Sequence, residues 1–335
     1  MTLLNRIIKK LIKAYLDLKF VWLKIILGDK FKSGKDINIK NTTRIEVYDK
    51  KGELIINDGF SIGYNSELYV WNNRMVIGTN TSINDNCKIY GNVTIGSNCL
   101  FASNIYMSSG SHTFLSNKYL PIKAQDRLGT VDKPILIEDD CWFGFGVVIM
   151  AGVYIGKGAI IGSNSVVTKD IYPYTINAGV PSKVIGKRID FKDSFNEINC
   201  FNEEHYPYFY RGINYKQFEE HNSIKDGLEV INKTAVFLLS KSVLTKIKLS
   251  GFSNKIINFE IALNNSSYIK RTTSKRYFEI IVDTSEISEL DDFVKIPKKI
   301  KDEFNIVIIK TASKSKQNNL KENNWKIRSV GLYDN

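Results

Sequence analysis

Residues 137–171 read IEDDCWFGFGVVIMAGVYIGKGAIIGSNSVVTKDI and repeat one pattern every six residues. A large apolar anchor opens each repeat, at Ile137, Phe143, Ile149, Ile155, Ile161 and Val167. The same series runs earlier through Ile77, Ile83, Ile89, Ile95, Phe101 and Met107. This period matches neither a helix face nor a simple alternating strand, but it fits a short strand followed by a turn.

Three such units form one triangular coil, and stacked coils bury a continuous apolar column. A second inward position follows each anchor by four residues, and Cys87, Cys99 and Cys141 occupy it in place of Val, Ser or Ala. We therefore interpret these cysteines as small core residues, because no metal-ligand spacing surrounds them. Cys200 lies outside the repeat.

The segment at 142–189 carries further signals. It opens with Trp-Phe-Gly, continues through six-residue repeats to VVTKD at 166–170, and ends in GVPSKVI at 179–185. This combination resembles the hexapeptide-repeat acyltransferases, and within them the branch that O-acetylates bacterial surface polysaccharides and sialic acids. The resemblance covers residues 60–189 and implies a left-handed parallel β-helix. Periodicity alone predicts a parallel coil without fixing its hand.

The repeat is interrupted at about 108–136, and a loop of this length is often functional. His112, one of three histidines with His205 and His221, stands where this loop begins. The resemblance implies that such a histidine is the general base. An imidazole fits this role because its pKa near neutrality lets it accept a hydroxyl proton and return it to a thiolate. The expected reaction is direct attack of a glycan hydroxyl on acetyl-CoA.

Other site residues follow from the resemblance alone. It implies that the backbone N–H of Phe145 stabilises the oxyanion and that Trp142 borders the acceptor pocket, although an indole at this position also suits coil packing. It further implies a homotrimer with active sites between subunits. The positions that match coenzyme A contacts are Ser163, Thr168, Lys169, Lys183 and Arg188. The alternative interpretation of each of the three cations is an ordinary surface charge in contact with solvent. The sequence departs from the branch at Val180, where asparagine is more usual.

Two alternatives remain open at this point. An N-acetyltransferase acting on an amino sugar would need the same base, so the sequence hardly separates the two enzymes. A glycan-binding or assembly protein without activity is the other alternative. A zinc-dependent hydratase is rejected because its chemistry needs several histidines, and we expect no metal.

The chain divides into four predicted segments. Residues 1–35 are predicted to form an amphipathic helix, because apolar residues recur at three- and four-residue steps from Leu4 to Ile25. Its polar face is basic, since residues 1–40 hold ten Lys or Arg against three Asp. This helix either contacts an anionic membrane or packs on protein. Residues 36–189 are predicted to form the β-helix. Residues 190–232 are predicted to form a partly helical linker, with an aromatic patch at 204–211. Residues 233–335 are predicted to form a β-sandwich-like domain.

The formal net charge of +12 favours an anionic partner, but no nucleic-acid-binding motif accompanies it. Lysines interrupt every apolar run near the N-terminus, so we expect neither a signal peptide nor a membrane span. Four cysteines without a disulfide framework favour a reduced setting. The expected location is the cytoplasm, with peripheral contact to the inner face of the membrane.

Overall fold

A computed structural model describes the following parts of the chain: residues 20–49, 51–71, 73–113, 116–117, 119–126, 130–192, 195–213, 228–230, 234–241, 246–253, 256–264, 269–272, 276–283, 298–311 and 325–333. The chain forms two compact units, Met1–Asp190 and Phe191–Asn335.

The first unit is a left-handed parallel β-helix of six coils, which confirms the predicted fold. Each coil contributes one short strand to each of three parallel sheets. Face 1 contains β1 (Phe31–Ser33), β4 (Glu53–Ile56), β7 (Arg74–Ile77), β10 (Val93–Ile95), β15 (Ile135–Ile137) and β18 (Tyr154–Ile155). Face 2 contains β2 (Asn38–Ile39), β5 (Ser61–Ile62), β8 (Ser82–Ile83), β11 (Leu100–Phe101), β16 (Trp142–Phe143), β19 (Ile160–Ile161) and β21 (Thr175–Ala178). Face 3 contains β3 (Arg44–Val47), β6 (Glu67–Val70), β9 (Lys88–Tyr90), β12 (Tyr106–Ser108), β17 (Val148–Ile149) and β20 (Val166–Val167).

The anchors of the six-residue series point into the prism and are almost completely buried. Phe101 and Phe143 stack inside it on successive coils, with ring centroids 4.4 Å apart. Burying an Ile or Phe side chain contributes roughly 1.5–3 kcal/mol, so the column of anchors holds the coils together. Cys87, Cys99 and Cys141 are buried in the same column.

The first coils are longer than the later ones. Leu54 lies above Phe31 and Met75 lies above Leu54, and each of these steps along the chain exceeds three hexapeptides. Ile95 lies above Ile77, a step of three hexapeptides, as the period predicts. The additional residues of the first coils lie in longer strands and corners, which is why the six-residue series slips by three residues between Leu68 and Ile77.

The corners of the prism depend on residues that accept a left-handed backbone. Three residues after an anchor, φ is positive at Asn80, Asn86, Asn98, Asn104, Asp140, Gly146, Gly152, Gly158 and Asn164. Asparagine, aspartate and glycine are the residues that tolerate this conformation. The glycine directly after an anchor has a different role. A Cβ on Gly144 would lie 2.6 Å from the backbone nitrogen of Ser163 on the next coil, so its absence allows the coils to approach.

Between the fourth and fifth coils the chain leaves the prism. It forms an antiparallel hairpin of β13 (Gly110–His112) and β14 (Thr130–Asp132), with a short helix at Ile122–Asp126. After the sixth coil, β22 (Lys183–Lys187) turns back antiparallel to β21 on face 2. Before the first coil, residues 20–27 are helical and are followed by a 3-10 turn at Gly28–Lys30.

The predicted N-terminal helix lies largely outside the described residues, since residues 1–19 are not among them. In the helical residues 20–27, Leu23 is buried and Phe20 packs edge-on against Phe31. Trp22 and Ile25 are exposed. Among the residues described, none of the helices has the length and apolar character required to cross a membrane.

The second unit consists of two five-stranded antiparallel sheets, a composition that fits the predicted β-sandwich-like fold. One sheet contains β23 (Glu197–Asn199), β25 (Leu228–Glu229), β27 (Lys246–Ser253), β30 (Arg276–Asp283) and β32 (Trp325–Tyr333). The other contains β24 (Phe209–Arg211), β26 (Thr234–Ser240), β28 (Asn258–Leu263), β29 (Ile269–Thr272) and β31 (Phe304–Thr311). Two short helices, Glu203–Tyr208 (3-10) and Lys298–Glu303, complete the unit. Segment 190–232, assigned to a linker from the sequence, thus supplies one or more strands to each sheet.

Candidate functional site

His112 is the last residue of β13 and pairs with Thr130 across the hairpin. Its side chain is exposed. Because β13 follows directly after β12, the hairpin leaves the prism from face 3 of the fourth coil. The histidine is therefore presented outside the coils by a two-stranded element rather than by an irregular loop.

The base of this hairpin is closed by a polar cluster that the sequence analysis did not single out. The buried Ser109 hydroxyl donates to the carboxylate of Asp132, which also accepts from the side chain of Asn73. The same hydroxyl oxygen accepts from the backbone N–H of Asn92 at 2.7 Å, and the carbonyl of Ser109 accepts from the amide of Lys133 at 2.8 Å. These bonds hold both strands of the hairpin against the fourth coil.

Trp71 supports the same region through apolar contact. A Cβ on Gly110 would lie 2.5 Å from Cζ3 of Trp71, and a Cβ on Gly91 would lie 2.2 Å from Oγ of Ser109. Both positions therefore require glycine for the tryptophan and the serine to fit. Long-range contacts of this kind give no local pattern in the sequence, so the two glycines and Trp71 were not identifiable from it.

Trp142 lies on the outer side of face 2, in register between Leu100 and Ile160. Its side chain is 52% exposed, so it does not fill the prism. Its neighbour Phe143 is the inward residue and is completely buried. An exposed indole on a flat sheet is available for a ligand or for another chain.

Phe145 occupies the corner between faces 2 and 3 on the fifth coil. At several other corners of the prism, two residues after an anchor, the amide donates to a side chain of the coil above. Tyr64 donates to Asp85 at 2.7 Å, Thr79 to Ser97 at 3.1 Å and Ser97 to Asp139 at 2.7 Å. The amide N–H of Phe145 has no such partner within the described part of the chain, although Ser163 lies above it. A fixed N–H donor at this corner is therefore available to a ligand.

The five positions matched to coenzyme A contacts lie at separate places on the prism. Ser163 shares the corner of Phe145, whereas Thr168 and Lys169 follow β20 at the corner between faces 3 and 1. Lys183 begins β22 and is exposed. Arg188 donates to Asp140 at 2.7 Å, at the corner between faces 1 and 2. One chain therefore does not bring these five residues together.

A second charged cluster lies beneath Arg188. Lys157 is buried, and its burial lowers the pKa of the ammonium group to about 8 against the opposing effect of the carboxylates of Asp139 and Asp140. Glu138 is also buried and accepts from the hydroxyl of Tyr154 at 3.0 Å. The repeat pattern treats these positions as corner residues, so the sequence analysis did not identify the cluster.

The aromatic patch at 204–211 belongs largely to the core of the second unit. Tyr208, Phe209 and Tyr210 are buried, and Phe191 stacks on Tyr208 at 5.1 Å. His205 is buried as well; its Nδ1 accepts from the amide of Asn199 at 2.9 Å, and burial lowers its pKa. The packing explains these residue types without a ligand.

Within the residues that the structure covers, no group of three or more His, Cys, Asp or Glu is arranged to hold a metal ion. All four cysteines are buried and unpaired in disulfides. Burial raises the pKa of the Cys87 thiol to about 11, which disfavours the thiolate that a ligand or nucleophile would need.

Residues 74–104 and 134–169 match the family profile described as bacterial transferase hexapeptide (six repeats). The galactoside O-acetyltransferase of Escherichia coli is 35% identical over 146 residues, which are 41% of this chain and 68% of that protein. A Staphylococcus aureus protein assigned as an acetyltransferase is 35% identical over 166 residues, covering 46% of this chain and 78% of its own length.

A Schizosaccharomyces pombe protein assigned as an acetyltransferase is 39% identical over 95 residues, which are 28% of this chain and 43% of that protein. The chain therefore spans less than half of this relative. In all three comparisons the similar region is less than half of this chain.

Proposed function

Since the chain belongs to the hexapeptide-repeat transferases, we propose that it is an O-acetyltransferase that moves an acetyl group from acetyl-CoA to a hydroxyl of a bacterial surface glycan. The acceptor would be of the capsule, O-antigen or sialic acid type. The amide of Phe145 has no partner among the described residues, whereas Tyr64 at the same corner of an earlier coil donates to Asp85, and this available donor is the observation that carries the proposal.

In the proposed mechanism, the neutral imidazole of His112 accepts the proton of the acceptor hydroxyl. The hydroxyl oxygen attacks the thioester carbonyl, and the negative charge that develops on the carbonyl oxygen is stabilised by the N–H of Phe145. A donor fixed in this way is worth about 3 kcal/mol in the transition state. Collapse of the tetrahedral intermediate breaks the carbon–sulfur bond, and the thiolate takes the proton from the imidazolium. The products are the acetyl ester and free coenzyme A.

The separation of the site residues supports a homotrimer with active sites between chains. Ser163, Thr168 and Arg188 lie at three different corners of one prism, so a cleft lined by all of them needs corners from neighbouring copies. Lys169, Lys183 and Arg188 would contact the phosphates of coenzyme A as cations. Exposed Trp142 would border the acceptor. For Arg188 this role requires that the phosphate compete with Asp140.

Two observations support contact with an anionic membrane on the cytoplasmic side, where acetyl-CoA would be supplied. Residues 1–40 hold ten cations against three Asp, and the helical residues 20–27 leave Trp22 and Ile25 exposed beside Lys24. Apolar residues flanked by lysines are typical of helices that lie in a membrane interface. Pelleting of the full chain with anionic but not neutral vesicles is the expected result.

The proposed function is tested by incubating the purified chain with acetyl-CoA and a panel of bacterial glycans, with thiol release and mass spectrometry as readouts. We expect coenzyme A release that depends on a glycan, and a mass increase of one acetyl group on the product. Mild alkali should remove this group, because an ester is cleaved under conditions in which an amide survives. An alkali-resistant acetyl group would instead indicate N-acetylation, and no transfer to any acceptor would contradict an enzymatic role.

A further inference from the structure

The outer face of one sheet in the second unit carries a guanidinium group between two exposed aromatic rings. The Cζ atom of Arg328 lies 5.2 Å from the ring centroid of Phe201 and 5.2 Å from that of Tyr277. Phe201 is 53% exposed and Tyr277 is 56% exposed, so much of each ring remains open to solvent. Phe252 extends this surface by an edge-on contact with Tyr277 at 5.2 Å.

The backbone of β32 is irregular at this arginine. In the pairing with β27, Ser250 faces Ser329 whereas Gly251 faces Ile327, so Arg328 is the additional residue of a β-bulge. Bulges redirect a side chain and are frequent beside functional sites. Here the bulged residue is Arg328 itself, the charged residue among the aromatic rings of Phe201, Tyr277 and Phe252. The irregularity of the backbone is therefore located at the cation.

The strand between Arg328 and Tyr277 carries small residues beside the bulge. β27 separates β32 from β30 and carries Ser250 and Gly251 at this level. A Cβ on Gly251 would lie 2.2 Å from the carbonyl oxygen of Lys326 and 2.7 Å from Cζ of Phe278, so only glycine fits. Gly251 thus allows the bulged strand to approach β27 closely on the buried side, while Ser250 is the small residue on the outer side, where its hydroxyl meets that of Ser329 at 2.8 Å.

The charge of Arg328 is not neutralised within the described part of the chain. The nearby Glu279 is paired instead with Lys248, at 2.9 Å. The backbone carbonyl of Arg328 accepts from the amide of Cys200 at 2.8 Å, but no hydrogen bond or ion pair of its guanidinium to another described residue is present. Its planar N–H donors match a carboxylate, which can accept two of them at once.

We propose that Arg328, Phe201 and Tyr277 bind an acidic sugar, so that the second unit tethers the protein to a carboxylated glycan. A sugar ring has an apolar face of C–H groups that packs on an aromatic ring, and its carboxylate then lies within reach of the guanidinium. A neutral glycan leaves the cation unmatched, and an acidic peptide lacks the flat C–H face. The choice of a glycan rests on the proposed function, whereas the anion site itself does not.

The test is a binding titration of the full chain by calorimetry, with oligosaccharides of sialic acid and of galacturonic acid as probes. Their carboxyl-reduced counterparts and an oligoglutamate peptide are the comparison ligands. We expect binding to at least one carboxylated glycan, at least tenfold weaker binding to its reduced form, and weaker binding at high salt. Arg328→Gln should lose at least tenfold in affinity, and Tyr277→Ala should also weaken binding.

Arg271→Gln, which removes an arginine from β29 in the other sheet, is the matched control and should bind as the unaltered chain does. Four results would each overturn the proposal. They are unchanged affinity in Arg328→Gln, equal affinity for the carboxyl-reduced glycan, binding of oligoglutamate alone, and no binding of any carboxylated glycan. If Arg328→Gln does not fold, the Tyr277→Ala variant gives the same decision. His112→Ala should bind normally, so a failure of the acetyltransferase proposal is separable from a failure of this one.

Discussion

The buried hydroxyl of Ser109 donates a hydrogen bond to the carboxylate of Asp132, and this contact joins the two strands that present His112. Asp132 also accepts from Asn73 of an earlier coil, so the carboxylate ties the hairpin to the prism. The position of the proposed catalytic imidazole thus depends on a polar contact at the opposite end of the hairpin. A base in general acid–base catalysis must lie within hydrogen-bond reach of its proton, so this contact has a kinetic consequence.

We therefore expect Asp132→Ala to lower kcat for acetyl transfer by about tenfold to a hundredfold, because the hairpin no longer holds the imidazole in one place. The KM for acetyl-CoA should change little, since none of the cofactor-binding positions is altered. Steady-state kinetics on the purified variant check this. Asp190→Ala, which removes the partner of Lys187 at the surface, is the control. An unchanged kcat in Asp132→Ala would show that the hairpin is positioned by other contacts.

Gly91 should be intolerant of substitution. Its φ is +86°, and an added Cβ would lie 2.2 Å from the Ser109 hydroxyl. Gly91→Ala is expected to lower the free energy of unfolding by about 2 kcal/mol or more, through backbone strain and loss of the Ser109 contacts. Gly186→Ala is the matched control, because the nearest atom to its Cβ would be 3.7 Å away. Thermal denaturation followed by circular dichroism should separate the two, and equal melting temperatures would contradict the packing described for Ser109.

Replacement of the Phe145 side chain should be tolerated. The proposed donor is the backbone N–H, which Phe145→Ala retains, and the ring itself is 48% exposed. We expect kcat within about tenfold of the unaltered enzyme, whereas loss of an oxyanion donor typically costs a hundredfold or more. A loss of the larger size in Phe145→Ala, with normal folding, would assign the role to the ring instead of the amide.

The cysteines should behave as core residues. All four are buried, so an aromatic disulfide reagent should label them only after unfolding.

The pKa of Cys87 is raised to about 11 by burial, while an unfolded thiol ionises near its usual value of about 8.5. Its contribution to stability is fully present below the unfolded pKa and is lost as pH rises through the folded one. Between pH 8 and 11, the free energy of unfolding measured by chemical denaturation should therefore decline less in Cys87→Ala than in the unaltered chain. Equal declines in the two proteins would contradict a buried thiol.

The sequence was most informative where contacts repeat. The six-residue anchors predicted the later coils because each coil there has the same length and the same inward positions. The predicted β-helix at 36–189 included most of the first two coils, but the six-residue period breaks there because the steps from Phe31 to Leu54 and from Leu54 to Met75 are longer than three hexapeptides. The asparagines with positive φ, such as Asn80 and Asn98, were a local signal of the corners that a search for apolar anchors does not use.

The candidate site was predictable only in part, because its support is non-local. His112 stood out through its place at the break in the repeats, but the partners at the hairpin base, Asn73 and Asp132, are 59 residues apart. No local pattern links them. The same reason applies to Arg328, whose neighbours Phe201 and Tyr277 come from other parts of the chain and whose bulge becomes visible only when β27 and β32 are paired.

The proposed mechanism requires that the imidazole of His112 remove the proton of the acceptor hydroxyl. The most direct measurement is the rate of acetyl transfer by His112→Asn, with glycan acceptor and saturating acetyl-CoA, beside its melting temperature and its affinity for acetyl-CoA. We expect the rate to fall at least about a hundredfold while the melting temperature and the affinity stay unchanged. A rate within a few-fold of the unaltered enzyme would contradict the mechanism.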